Sequence, residues 1–325
     1  MTRSIITGCG SYLPKNIVTN HELAKKVDTS DEWIFKRTGI KQRHLSESDE
    51  LTSDMALAAA KQAIKMADID VADIDGVILA TTAPNRTFPA TAVKVQADLG
   101  MERGFAFDVQ AVCSGFVYAL RQADNMIRLG QAKNIVVIGA EKFSSLLDWN
   151  DRTTSVLFGD GAGAFVLSAQ EGEAKADNDQ SGFISTHIHS DGRHEELLMM
   201  TGGPALNRQT GYMQMQGREV FKHAVANLAA VVDEVLEYNH IQPNQIDWLV
   251  PHQANARIIE TTAKKLNMPM DRVILTVSEH GNTSAASVPL AFCEGVKDGR
   301  LQRGDLILLE AMGAGFTWGA ALVRF

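Results

Sequence analysis

Cys113, in the stretch DVQAVCSGFVYAL (residues 108–120), is the side chain best placed to act as a nucleophile. A cysteine in apolar sequence is ordinarily core filler. Cys9, within a first strand, and Cys293, in mid-helix, read that way. Cys113 instead opens an apolar helix, where unpaired backbone N–H groups and the positive end of the helix dipole favour thiolate over thiol. Ser114 and Gly115, directly after it, are small and leave room for a substrate. A nucleophile needs polar partners. Seven of the nine histidines (His21, His44, His187, His189, His194, His223 and His240) fall in charged, solvated stretches. His252 ends the buried run of WLVPHQAN just as the chain turns, and His280 is its rival, beside Gly281 and Asn282. Asn282 is either a helix N-cap or, if Thr283 or Ser284 caps instead, free to point into a pocket. The glycine-rich AMGAGFTWGAALV (311–323) lets backbone amides approach a ligand and supply an oxyanion donor. FGDGAGA (158–164) reads as a tight hairpin or packing turn, because it lacks the lysine and the strand–glycine–helix setting of a phosphate loop.

The elements that must position these residues repeat along the chain. Residues 57–83 and 228–254 each show helical spacing of apolar residues, a polar turn, the dipeptide Ile-Asp and a buried-strand run. The Ile-Asp pairs, at 74–75 and 246–247, lie 172 residues apart. VKVQADLGM (93–101) matches ETTAKKLNM (260–268), and KNIVVIGAE (133–141) falls opposite GDLILLEAM (304–312) at an offset of 171. FGDGAGAFVL (158–167) resembles FTWGAALV (316–323), and SIITGCGSYLP resembles GFISTHIHSDG. Strands alternating with helices predict an α/β sheet in each half, covered on both faces. The halves divide as residues 1–172, carrying the cysteine, and 173–325, carrying the histidine and asparagine. Cys113 and the HGN at 280–282 then follow comparable strands (FAFDVQ and VILTVS), at corners where duplicated α/β proteins place ligands.

Composition bounds the rest. The chain has 325 residues, 45% hydrophobic and 22% charged, which describes a soluble globular protein. No run approaches ~18 apolar residues, so no membrane span is expected, and the N-terminal stretch lacks the pattern of a signal peptide. Three widely spaced cysteines fit a reducing cytosol and argue against disulfides or a cysteine-based metal site. A net charge of −8 disfavours nucleic acid and requires a local basic patch for any acidic partner.

AVCSGFVYAL, VPHQANARI, HGNTSAASVP and GAGFTWGAALVRF, in that order, together with DEWIFKRTGIKQRH near the start, closely resemble the β-ketoacyl-acyl-carrier-protein synthase III family. The resemblance implies a thiolase-like, duplicated five-layer αβαβα sandwich, a homodimer, and a cytoplasmic enzyme with no permanently bound cofactor. It implies that Cys113 takes an acetyl group from acetyl-CoA, and that His252 and Asn282 stabilise the enolate formed when malonyl-acyl carrier protein loses CO₂. The backbone amides of Cys113 and Ala314 are implied as the oxyanion hole. Thr29, Trp33, Arg37, Arg152, Gly217, Phe221 and Asn255 are implied for CoA, with Trp33 on the adenine, Arg152 on its other face and Arg37 near phosphate. Gln253, Ala254, Asn255, Ala256 and Arg257 are implied for the carrier protein, with Lys264 and Lys265 extending a basic patch.

Three departures bear on the starter group. Ala314 stands between two glycines where the family often has three, so a left-handed turn there would strain it. Ser114 stands where alanine is common, and Met312 where phenylalanine is frequent. Three other readings compete: a related thiolase-fold synthase using other acyl-CoA starters or malonyl-CoA, a Cys–His–Asn hydrolase, and a non-enzymatic carrier-binding scaffold.

Overall fold

The computed structural model describes residues 2–171 and 180–325. Its strands form two large sheets. In the first, Thr2–Tyr12, Gly161–Glu171, Asn134–Glu141, Gly76–Ala80 and Phe105–Val109 lie side by side in that order. The last three are mutually parallel, and Gly161–Glu171 runs antiparallel to both its neighbours. In the second, the order is Gly182–Ser190, Thr317–Arg324, Leu306–Gly313 and Trp248–Pro251, with only the last pair parallel. The register repeats with the sequence. Gly76 pairs with Ile135 and Trp248 with Ile307, both members displaced by 172 residues, which corrects the offset of 171 read for that pair.

Alternation along the strands explains the layers. In the first sheet Val77, Leu79, Val136 and Ile138 face outward onto the helix Thr52–Ala67, against Ala56, Ala59, Ala60 and Ala63. Their neighbours Ile78, Ala80, Ile135 and Val137 face inward onto the helix Gly115–Arg128. The second sheet does the same. Ile307, Leu309, Ala311, Ala321 and Val323 turn inward to the shared core with the helix Ser287–Lys297. Leu306, Leu308, Ala320 and Leu322 turn outward to the helices Gly217–Tyr238 and Ala256–Lys265. A strand apolar on both faces has to be sandwiched, and two such sheets around one central helical layer make the αβαβα arrangement.

Three expectations change. VILTVS is not a strand. Only Val273 pairs, in a single parallel bridge to Leu249, and the chain then forms the short helix Val277–His280. FGDGAGA is not a hairpin, because Gly161 already starts a strand and residues 157–159 pair with the segment holding Asn282. The division expected between residues 172 and 173 falls at residues outside the described ones. Among the described residues no helix is long and apolar enough to cross a membrane.

Candidate active site

Cys113 occupies a 3-10 turn, Val112–Ser114, that leads into the helix Gly115–Arg128. The turn is held in an unfavourable conformation. Val112 has φ of 47°, a left-handed value that a β-branched residue resists. What holds it is the Ala111 carbonyl, which accepts from the Ser114 amide, the Ser114 hydroxyl (2.8 Å) and the Thr317 hydroxyl (2.9 Å). Ser114 also donates to Thr317 Oγ1 at 2.8 Å. The Ser114 hydroxyl therefore ties two turns together rather than entering the site. The 172-residue counterpart of this turn is Ser284–Ala286, where Ser284 has φ of 49°. Cys113 thus corresponds to Ala285, and the second half's polar groups lie just before that point.

Asn282 reaches the site through its neighbours. Its amide donates to Leu157 O at 2.9 Å, and its carbonyl accepts from Gly159 at 3.0 Å, so the glycine loop 157–159 clamps its backbone. Its Oδ1 accepts from the Ser284 amide at 2.9 Å. With the oxygen engaged, the side-chain NH₂ is the end left for a ligand. His252 follows the strand Trp248–Pro251, and its amide donates to Glu310 O at 2.7 Å. Gln253 fixes the chain beyond it. Its Nε2 donates to Pro251 O and Ile274 O, and its Oε1 accepts from Thr276 and Val277.

One cavity of about 180 Å³ brings Cys113, His252 and Asn282 together, walled by Leu157, Phe158, Leu198, Met215, Val220, Ala224, Leu228, Ile258 and Met312. His280 is not in its wall. That residue is buried edge-on to His44, so of the two candidate histidines the cavity holds His252. Burial sets the protonation states. Desolvation pushes the Cys113 thiol up to about 12, opposed by the Ser284 hydroxyl and its own amide, while Glu141 nearby raises it further. The expected resting thiolate is therefore corrected to a neutral thiol, because lost hydration outweighs the helix-end field. Burial also lowers His252 to about 3, leaving a neutral imidazole. Glu141, fully buried and raised to about 7 by desolvation, accepts from the Thr82 and Ala83 amides and from Ser284 Oγ at 3.0 Å. The sequence reading missed both Glu141 and Ser284. The signal was a lone carboxylate ending the buried run IVVIGAE.

The glycine-rich turn meets the cysteine. A Cβ on Gly313 would lie 2.6 Å from the Cys113 amide nitrogen, so only glycine allows this approach. The left-handed residue in the turn is Gly315, with φ of 126°, and Ala314 is outside that region; the strain expected at Ala314 is absent.

Gly217, Phe221, Ala254 and Asn255 line the same cavity. Asn255 also caps the helix Ala256–Lys265, accepting from the Arg257 amide and donating to Arg37 O at 3.1 Å. That bond ties the cavity rim to the helix Asp31–Thr38, which carries Trp33 and Arg37. Arg37 does not stand off for phosphate. Its guanidinium lies 4.5 Å from the Trp33 ring centre, and Arg152 lies 5.8 Å away while bonded to Asp28. Thr29, just before that helix, has a buried hydroxyl with no partner. Gln253, expected to touch a carrier protein, is 1% exposed with its amide fully engaged, so it is not available to a partner. Ala256 is half-buried against Gly39. Arg257 and Lys264 are exposed, with Arg257 over the Phe221 ring, whereas Lys265 pairs with Asp233. Among the described residues no group of three or more metal-ligating side chains occurs.

Comparison with known proteins agrees along the whole chain. The profile described as 3-oxoacyl-[acyl-carrier-protein (ACP)] synthase III matches residues 107–192, and that of its C-terminal part matches 236–325. The β-ketoacyl-[acyl-carrier-protein] synthase III of Rhodospirillum centenum is 62% identical over 99% of both chains. That of Paramagnetospirillum magneticum is 60% identical over 100% of this chain and 99% of its own. The crystal structure of 3-oxoacyl-[acyl-carrier-protein] synthase III from Aquifex aeolicus superposes with a TM-score of 0.93 at 48% identity, covering 99% of this chain and 100% of that one. With the cysteine, histidine and asparagine of its motifs gathered on one cavity and its relatives matched end to end, this chain belongs to the β-ketoacyl-[acyl-carrier-protein] synthase III family.

Proposed function

We propose that the protein condenses an acetyl or other short acyl group from acyl-CoA with malonyl-acyl carrier protein, giving the β-ketoacyl carrier protein that starts fatty-acid synthesis. The observation that carries this reading is the convergence of Cys113, His252 and Asn282 on a mostly apolar cavity. In the first half-reaction Cys113 Sγ attacks the thioester carbon of acetyl-CoA. The new S–C bond forms as the bond to CoA sulfur breaks, and CoA leaves as its thiol with the proton that Cys113 gives up. Because the thiol is neutral at rest, proton loss accompanies attack.

In the second half-reaction malonyl carrier protein loses CO₂, and the electron pair of the broken C–C bond makes an enolate. Nε2–H of neutral His252 and the NH₂ of Asn282 donate to its oxygen, where charge appears only along the reaction path. The enolate carbon attacks acetyl-Cys113. The oxyanion sits between the amides of Cys113 and Ala314, two turns that Gly313 brings into contact. Collapse expels the Cys113 thiolate, which takes a proton from solvent. Apolar walls keep water from the acyl-enzyme, which favours condensation over hydrolysis.

CoA enters along Phe221, Gly217 and Asn255, with its base and phosphates at Thr29, Trp33, Arg37 and Arg152. The exposed Arg257 and Lys264 beside that mouth suit an acidic carrier. A cytosolic homodimer fits too: Phe105–Val109 is the outermost strand of its sheet, and Phe88 is 82% exposed. The roles are separated by two assays. Cys113→Ala loses acetyl transfer, whereas His252→Ala and Asn282→Ala still take up acetyl but release CO₂ from malonyl carrier protein roughly 10²–10³ times more slowly. Equal losses of acetyl uptake in all three variants contradict the assignment.

A further inference from the structure

The proposed role of His252 needs the imidazole proton on Nε2, facing the cavity, and this inference rests on that role. A buried neutral imidazole carries one N–H, and its second nitrogen decides where that proton sits. His252 Nδ1 lies 2.5 Å from Ser287 Oγ, and both side chains are nearly inaccessible. Distance alone leaves either atom as donor. The third partner resolves it. The Gln253 amide, which can only donate, also contacts Ser287 Oγ at 3.3 Å. Among the described residues the Ser287 hydroxyl has no acceptor other than His252 Nδ1. A hydroxyl that receives the amide proton and must place its own therefore gives it to Nδ1.

Ser287 is the first residue of the helix Ser287–Lys297, and its counterpart 172 residues earlier is Gly115, the first residue of the helix behind Cys113. One duplicated helix start is thus bare beneath the cysteine and hydroxylated beneath the histidine. The Gln253 side chain, bonded to four backbone groups, holds the amide that orients Ser287. We propose that Ser287 is a positioning residue: its hydroxyl, set by the Gln253 amide, donates to His252 Nδ1 and so fixes the tautomer whose Nε2–H faces the reacting carbonyl.

Imidazole ¹⁵N spectra of the full-length protein, with His252 assigned by its absence from His252→Ala, test this directly. The wild type shows a single tautomer, protonated at Nε2, with an Nδ1 shift displaced by an accepted hydrogen bond. In Ser287→Ala the Nδ1 signal moves toward that of a free imine nitrogen, and CO₂ release from malonyl carrier protein falls about tenfold, the size of one hydrogen bond. Ser287→Thr keeps the hydroxyl and restores both readouts. A proton on Nδ1 in the wild type, or an Nδ1 shift unmoved in Ser287→Ala, overturns the proposal whatever the activity. A moved shift with unchanged CO₂ release contradicts instead the donor role of His252.

Discussion

Cys113 shows how burial and backbone strain combine at one residue. Its thiol is raised to about 12 by lost hydration, even though it lies at a helix start. Hydrogen-bonding to Ser284 and to its own amide lowers the value, and the carboxylate of Glu141 beyond Ser284 opposes them. A group with a raised value has little thiolate at neutral pH, and that fraction grows about tenfold per pH unit until the value is reached. Alkylation of Cys113 by iodoacetamide, followed on its peptide, is therefore expected to be slow at pH 7 and to rise through pH 10 without levelling. A plateau below pH 8 would show a stabilised thiolate instead. The cysteine, histidine and asparagine were legible in the sequence because each stands where an apolar run breaks. Ser287 and Glu141 were not, since a serine in TSAAS and a glutamate ending a strand look ordinary until the fold places His252 and Ser284 against them.

At the scale of elements, the site depends on two turns pressed together. The Val112–Ser114 turn and the turn after Leu306–Gly313 meet through Thr317, whose hydroxyl contacts the carbonyls of both Ala111 and Ala314. Gly313 has no room for a side chain there. Gly313→Ala is expected to push the Cys113 amide away, slowing acetyl transfer by roughly 10²-fold as one oxyanion donor is displaced, while the fold stays intact by circular dichroism. Acetyl transfer at the wild-type rate would mean the close approach has no catalytic use. Most elements were readable because both halves keep the 172-residue spacing from Gly76 and Trp248 to Ile135 and Ile307. VILTVS was misread for a physical reason. Gln253 accepts from Thr276 and Val277 and pulls the chain out of the sheet after Val273, a side-chain bond that spans 23 residues and leaves no trace in local pattern.

Over the whole molecule, the buried titratable groups pull stability in opposite directions with pH. His252 and His280 are lowered by burial to about 3 and about 4. Their contribution is complete above the unfolded value near 6.5 and is lost on acidification. Glu141 and Glu310 are raised to about 7 and about 8, so theirs is complete below the unfolded value of 4.5 and is lost as pH rises. Glu310 is the clearer case, with Oε2 buried and unpartnered. Glu310→Gln is expected to raise Tm over the wild type at pH 8, with the gain shrinking toward nothing at pH 5. A gain of equal size at both pH values would show that the carboxyl is not held protonated.

The central claim is that this fold exists to present Cys113 to an acyl thioester. Its most direct measurement is intact-protein mass spectrometry after incubation with acetyl-CoA alone, followed by peptide mapping. One acetyl increment on the peptide containing Cys113, absent in Cys113→Ala, is the expected result. No increment, or an acetyl group on Cys9 or Cys293 instead, would contradict the account.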